Sequence, residues 1–273
     1  MFVLLAVLFG YWLANYFWAR QRAVPDVRLI VYTVLAVGLF ALVAFDATSN
    51  LYSPDDVEIT RALQAWRSPW LDNFMILIGL PGTPPQTLIL NVLFVLIVLL
   101  CRLKPEALTL AIFVPTFGTL GTWLRCGINR PRPSDDLVFL VGELKDRNCS
   151  YPSGHTINFT VVLGFMFFIG LTQLAPSWRR NLLLSLYALY AILMELSRIY
   201  VGDHWASDVL AGYLLGSVFL IWMIRFCQWV SSRFFTTAQP MSKTAAEMRL
   251  LLFCICSIRE YNSLRISVDA LGS

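Results

Sequence analysis

Only two histidines occur among the 273 residues, and each lies in a short polar cluster within an otherwise apolar sequence. His155 closes Tyr151-Pro152-Ser153-Gly154-His155. His204 belongs to a stretch that opens with Ser197-Arg198 and ends on Asp208. Arg125 and Arg132-Pro133 precede both clusters. Imidazoles, guanidiniums and a carboxylate are costly at membrane depth, so their placement at helix ends points to chemistry. A carboxylate on one imidazole nitrogen fixes the tautomer and leaves the other nitrogen as a nucleophile. Guanidinium forks grip phosphate oxygens in pairs, and Arg125, Arg132 and Arg198 together could neutralise a phosphoryl dianion.

Each cluster also has a plainer explanation. Ser153 and Gly154 precede a long apolar segment, where unpaired N–H groups and the helix dipole favour an anion; an ordinary turn capping a helix has the same composition. His204 and Asp208 share a face if both are helical, and Asp208 can reach back if the helix starts near Trp205. Alternatively, Asp208 only complements the dipole beside an interfacial histidine. Any one arginine could extend to the lipid headgroups. Glu195, three residues before Arg198, is a candidate partner for that guanidinium, or a group behind it that orients it.

The elements that must position these groups are membrane helices. Hydrophobic residues form 58% of the chain and charged residues 14%, against about 25% charged in soluble domains. Apolar runs predict spans over Met1–Trp18, Val27–Phe45, Thr87–Cys101, Ala107–Leu124, Thr156–Ala175, Leu182–Leu196 and Val209–Val230. The third is short unless it starts around Pro84. The first lacks a basic leader and a small-residue cleavage site, which predicts a retained helix. The predicted fold is therefore all-α, a polytopic membrane bundle. Arg20, Arg22, Arg28, Arg102, Lys104, Arg179, Arg180, Arg225 and Arg233 fall on one face of alternating spans, which marks that face as cytoplasmic. The two histidines and the motif arginines fall on the opposite face. A net charge of +4 is too small and dispersed for nucleic-acid binding.

Between Asp46 and Gln86, Asp55-Asp56 predict the cap of a short interfacial helix beginning near Val57, with Trp66 and Trp70 at headgroup level. Cys126 and Cys149 bracket the loop between the first two motifs; a disulfide would tether it, and free thiols are the alternative. Gly212-x3-Gly216 predicts a helix-packing face. After Thr236 the chain becomes polar, and Leu250–Ile258 is too short to span a membrane.

Taken in order, basic-x6-Arg-Pro, Pro-Ser-Gly-His and Ser-Arg-x5-His-x3-Asp resemble the three signatures of the type 2 phosphatidic acid phosphatase (PAP2) superfamily, over about Leu51 to Val230. The resemblance implies a six-helix core within 27–233; the apolar run and basic turn in 1–26 predict an added N-terminal helix, and the polar composition of 234–273 predicts a mobile cytoplasmic tail. It implies that His204 is the nucleophile that becomes phosphohistidine, that Asp208 orients it, and that His155 protonates the leaving oxygen and then activates water. Arg125, Arg132, Ser153, Gly154 and Arg198 would hold the phosphate, with no metal or other cofactor. The substrate would be a lipid phosphate monoester or pyrophosphate (isoprenoid pyrophosphate, phosphatidic acid or phosphatidylglycerophosphate), met among membrane lipids at the extracytoplasmic face of a bacterial inner membrane. A phosphotransferase using the same intermediate, and a non-catalytic binder or transporter, are the alternatives. The first signature normally opens on lysine; Arg125 keeps the charge and changes its geometry.

Overall fold

A computed structural model describes residues 27–142, 149–174 and 176–235. Internal contacts divide the chain into residues 1–35 and 36–273. Of the first unit only residues 27–35 are described, the beginning of α1 (Val27–Ser49). In the second unit follow α2 (Pro54–Gln64), α3 (Pro69–Gly79), a 3-10 turn over Leu80–Gly82, α4 (Gln86–Leu100), α5 (Lys104–Ile128), α6 (Gly154–Gln173), α7 (Trp178–Tyr200) and α8 (Ala206–Phe234). Among the described residues there is no strand, as an all-α membrane bundle requires.

Among the described residues, five helices are long and apolar enough to cross a bilayer: α1, α5, α6, α7 and α8. Pro69–Gly82 and Gln86–Leu100 reach that length and apolarity only as a pair, bent by 57° at their break. The expected third span, Thr87–Cys101, is α4, whose 15 residues are short on their own. Pro81, Pro84 and Pro85 cannot donate the N–H groups a continuous helix needs, so the run breaks between Gly82 and Gln86. The predicted span Met1–Trp18 and the patch Leu250–Ile258 lie outside the described residues. The predicted short helix near Val57 is α2, which begins at Pro54, and Trp66 and Trp70 are exposed.

Local chemistry fixes the helix ends that matter. Asn129 terminates α5 in the left-handed region at φ 52°, which asparagine tolerates better than most residues. Ser153 caps α6 by accepting from the Thr156 amide at 3.3 Å. Asp208, in the first turn of α8, accepts from the Trp205 amide at 2.8 Å. That helix begins at Ala206, so Asp208 reaches back and does not share a helical face with His204.

Helices α6 and α8 form the centre of the bundle. Gly212 and Gly216 lie against Thr156 and Thr160, where an added Cβ would come within 2.5 and 2.9 Å of the threonine Cβ atoms. The predicted small-residue face thus brings α8 onto α6 and draws their N-terminal ends together. The C-terminal ends of α5 and α7 reach that same end of the bundle, because consecutive spans alternate in direction.

Candidate active site

His155, on the first turn of α6, places Nδ1 3.3 Å from Nε2 of His204, which precedes α8. The rings meet edge to face, with centroids 5.4 Å apart. His204 is fully buried. Burial first, and then the Arg132 guanidinium, hold its imidazole neutral by lowering its pKa well below the ordinary histidine value; the Asp203 carboxylate opposes them.

Three arginines surround the ring pair. Arg132 Nη1 lies 3.5 Å from His204 Nε2 and donates to the Asp203 carbonyl at 2.8 Å. Arg125 comes from the last turn of α5 and is steadied by the Thr122 hydroxyl at 3.0 Å. Its guanidinium lies over Gly154, where a Cβ would be 2.9 Å from Nη1, so a side chain at 154 would push the guanidinium aside. Arg198, near the end of α7, fits against Gly79, where a Cβ would be 1.3 Å from Nη2. Ser153 is buried beside them as the cap of α6. Every residue singled out in the three motifs therefore reaches the same end of the bundle.

The support beneath His204 differs from the sequence expectation. Asp208 Oδ2 stands 3.6 Å from His204 Nδ1, too far for a hydrogen bond. The Ser150 hydroxyl lies between them, 3.4 Å from Nδ1, and donates to Asp208 Oδ2. The other oxygen, Oδ1, is 2.8 Å from Nη1 of Arg130. Arg130 is fully buried and also meets Asp56 Oδ2 at 2.8 Å, the Ser207 hydroxyl at 2.7 Å and the Leu51 carbonyl at 3.3 Å. Asp56 accepts from the Ser207 amide at 2.8 Å. It is thus a buried partner of Arg130, and Ser53 occupies the cap position of α2.

Asp203, next to His204 in sequence, was not singled out either. Its carboxylate pairs with Arg132, and Oδ2 lies 3.6 Å from Arg198 Nη1. Arg198 pairs with Asp203, while the Glu195 carboxylate accepts from the Thr156 hydroxyl and acts on Arg198 through its charge. Burial alone would raise the Asp203 pKa, but the surrounding positive charge, Arg132 and Arg198 included, outweighs it and holds the carboxyl below the usual carboxylate range. The carboxylate is ionised throughout the neutral range. His155, Asp203 and His204 offer donor atoms within 4.8 Å of one another, a cluster with the composition of a cation site that the sequence spacing did not reveal. Three guanidiniums face the same space, which disfavours a further cation there.

Cys126 and Cys149 are free thiols, and Cys149 Sγ instead lies 3.1 Å from Asn129 Oδ1. The two ends of the loop are joined by the Ser150 amide donating to the Arg130 carbonyl at 2.8 Å.

A model of the PAP2 superfamily matches residues 106–232, a stretch that contains both histidines and all the motif arginines. The chain is 29% identical over 188 residues to phosphatidylglycerophosphatase B of Bacillus subtilis, covering 68% of this chain and 90% of that protein. It is 41% identical over 75 residues to an undecaprenyl-diphosphatase of Sulfolobus acidocaldarius; this match spans 28% of this chain and 32% of the relative, less than a third of its length. Among solved structures, a transmembrane PAP2 type phosphatidylglycerolphosphate phosphatase from Bacillus subtilis superposes with a TM-score of 0.63 at 24% identity. That superposition covers 74% of this chain and 98% of the other, and it is a likeness of fold.

Proposed function

We propose that this chain, which belongs to the PAP2 superfamily, is an integral membrane phosphatase that hydrolyses a lipid phosphate monoester or pyrophosphate through a phosphohistidine. The observation that carries this reading is the 3.3 Å approach of the two imidazoles inside a ring of three guanidiniums. The length of the match to phosphatidylglycerophosphatase B puts phosphatidylglycerophosphate first among candidate substrates, ahead of isoprenoid pyrophosphates and phosphatidic acid.

His204, held neutral, attacks phosphorus through Nε2, forming a P–N bond as the bond to the leaving oxygen breaks. His155 gives that oxygen a proton. It then takes one from water, which attacks the phosphohistidine and frees inorganic phosphate. Asp208 holds His204 through Ser150, itself anchored by Arg130. Arg125, Arg132 and Arg198 bear on the phosphoryl oxygens, with Ser153 and the α6 amide of Gly154 as added donors. Such phosphoryl transfer depends mainly on positioning and charge stabilisation, which fixed guanidiniums supply. In this reading no metal takes part, and the cluster of His155, Asp203 and His204 serves phosphate chemistry.

Arg102, Lys104, Arg179, Arg180 and Arg233 lie at the ends of their helices opposite the site. By the positive-inside bias, this supports a site opening away from the cytoplasm. The test is phosphate release by purified protein from a panel of lipid phosphates, with and without chelator. Release that survives chelation and is lost in His204→Ala supports the reading. Dependence on added divalent metal, or release by His204→Ala at the wild-type rate, overturns it.

A further inference from the structure

The mechanism leaves Asp203 without a task. It is an ionised, nearly buried carboxylate in the middle of an anion site, and repulsion should weaken binding of any phosphate there. Its Oδ2 lies 3.6 Å from Arg198 Nη1, 3.8 Å from His155 Nδ1 and 3.9 Å from His204 Nε2, while the same carboxylate pairs with Arg132. A phosphoryl group attacked by His204 Nε2 has to bring its phosphorus to about 3–3.5 Å from that nitrogen, with oxygens on the arginines. Those requirements describe nearly the same place. The Asp203 carboxylate stands where a phosphoryl oxygen must go.

We propose that Asp203 is a specificity-determining residue, an internal anion that competes with phosphate for Arg132 and Arg198. This rests on the phosphatase reading of the site and deepens it. A phosphoryl group either displaces the carboxylate from its arginines or binds beside it against charge repulsion, and both cost affinity. A substrate held in the bilayer by its lipid chain offsets the cost through its high effective concentration beside the site. Free inorganic phosphate has no such compensation. Asp203 therefore sets an affinity threshold that membrane-anchored phosphates pass, and it limits retention of the inorganic phosphate the reaction releases.

Backbone geometry holds the carboxylate in place. Gly202 adopts φ +77° between α7 and His204. Both the Asp203 and His204 amides donate to the Arg198 carbonyl, at 2.9 and 3.2 Å. This turn directs Asp203 toward the arginines and His204 toward His155. An ion pair that merely positioned Arg132 and Arg198 would have the opposite consequence, because removing it would loosen the arginines and weaken phosphate binding.

The experiment titrates inorganic phosphate into the full chain in detergent, for wild type, Asp203→Asn and Asp203→Glu. Binding is read by calorimetry and by the rise in the unfolding midpoint. Removing one like charge at this spacing should lower the Kd for phosphate in Asp203→Asn by about tenfold or more, while Asp203→Glu stays near wild type. A Kd that is unchanged or higher in Asp203→Asn overturns the proposal. Should that variant not fold, Asp203→Ser is titrated under the same criterion. The readout needs no turnover. Failure of the wild type to release phosphate from any lipid would therefore refute the phosphatase reading, whereas an unmoved Kd would refute the role of Asp203.

Discussion

Arg130→Met removes a charge while keeping most of the side chain's length and apolar stem. In the wild type the guanidinium is fully buried and meets Asp56 and Asp208 at 2.8 Å each. The variant leaves two carboxylates out of water with no counter-charge. Breaking one buried ion pair costs about 3–5 kcal/mol, and here two pairs share the cation. The Ser150 and Ser207 hydroxyls and the Trp205 and Ser207 amides remain as donors, which favours the lower end, about 3 kcal/mol. For a chain of this size that corresponds to a fall in Tm of roughly 6–12 °C. Tryptophan fluorescence during heating in detergent measures it directly. The fall should shrink when Asp56→Asn is added, because one stranded charge is then gone. Turnover should drop more than about tenfold, since Asp208 loses the contact that steadies it behind His204. An Arg130→Met protein that melts within about 2 °C of wild type and keeps its turnover would refute the buried relay.

Two further outcomes follow from the geometry. The pKa of His204 should lie well below the ordinary value near 6.5, because burial and Arg132 disfavour the cation. Its imidazole is then the neutral nucleophile at all pH values above that lowered pKa, and protonation removes it only in acid. With two histidines in the chain, nitrogen-labelled histidine in an NMR titration resolves them, and His204 titrating at 6.5 or above would contradict the assignment. Gly154→Ala places a Cβ 2.9 Å from the Arg125 guanidinium and must push that flexible side chain aside. KM should rise several-fold with little change in Tm, and adding Arg125→Ala should bring no further loss. Independent, additive effects would show that Gly154 and Arg125 do not act together.

The three motifs were legible because side chains costly in a membrane are few, and their order along the spans places them at one end of the bundle. The supporting residues were harder to read. Arg130 stands two positions before Arg132 in the same loop, and composition does not separate an arginine facing phosphate from one buried under it. Charge balance could have found it: Asp56 and Asp208, once buried, require a cation, and Arg130 is the one that meets both. Asp203 was obscured by its neighbour, since four-residue spacing directs attention from His204 to Asp208 and passes over the adjacent carboxylate. Its position depends on the positive φ of Gly202, which the sequence signals only as a glycine. The helix break at Pro81 to Pro85 is visible in the prolines, whereas the 57° bend is a property of packing.

The covalent intermediate is the most direct test of the account. The protein is mixed with lipid carrying radioactive phosphate, quenched in alkali, where phosphohistidine survives, and digested for peptide mapping. Label should appear on the peptide containing His204, disappear in His204→Ala, and persist longer in His155→Ala, where water is no longer activated. Rapid hydrolysis with no labelled histidine, or label carried by His155, would contradict the central claim that His204 forms the bond to phosphorus.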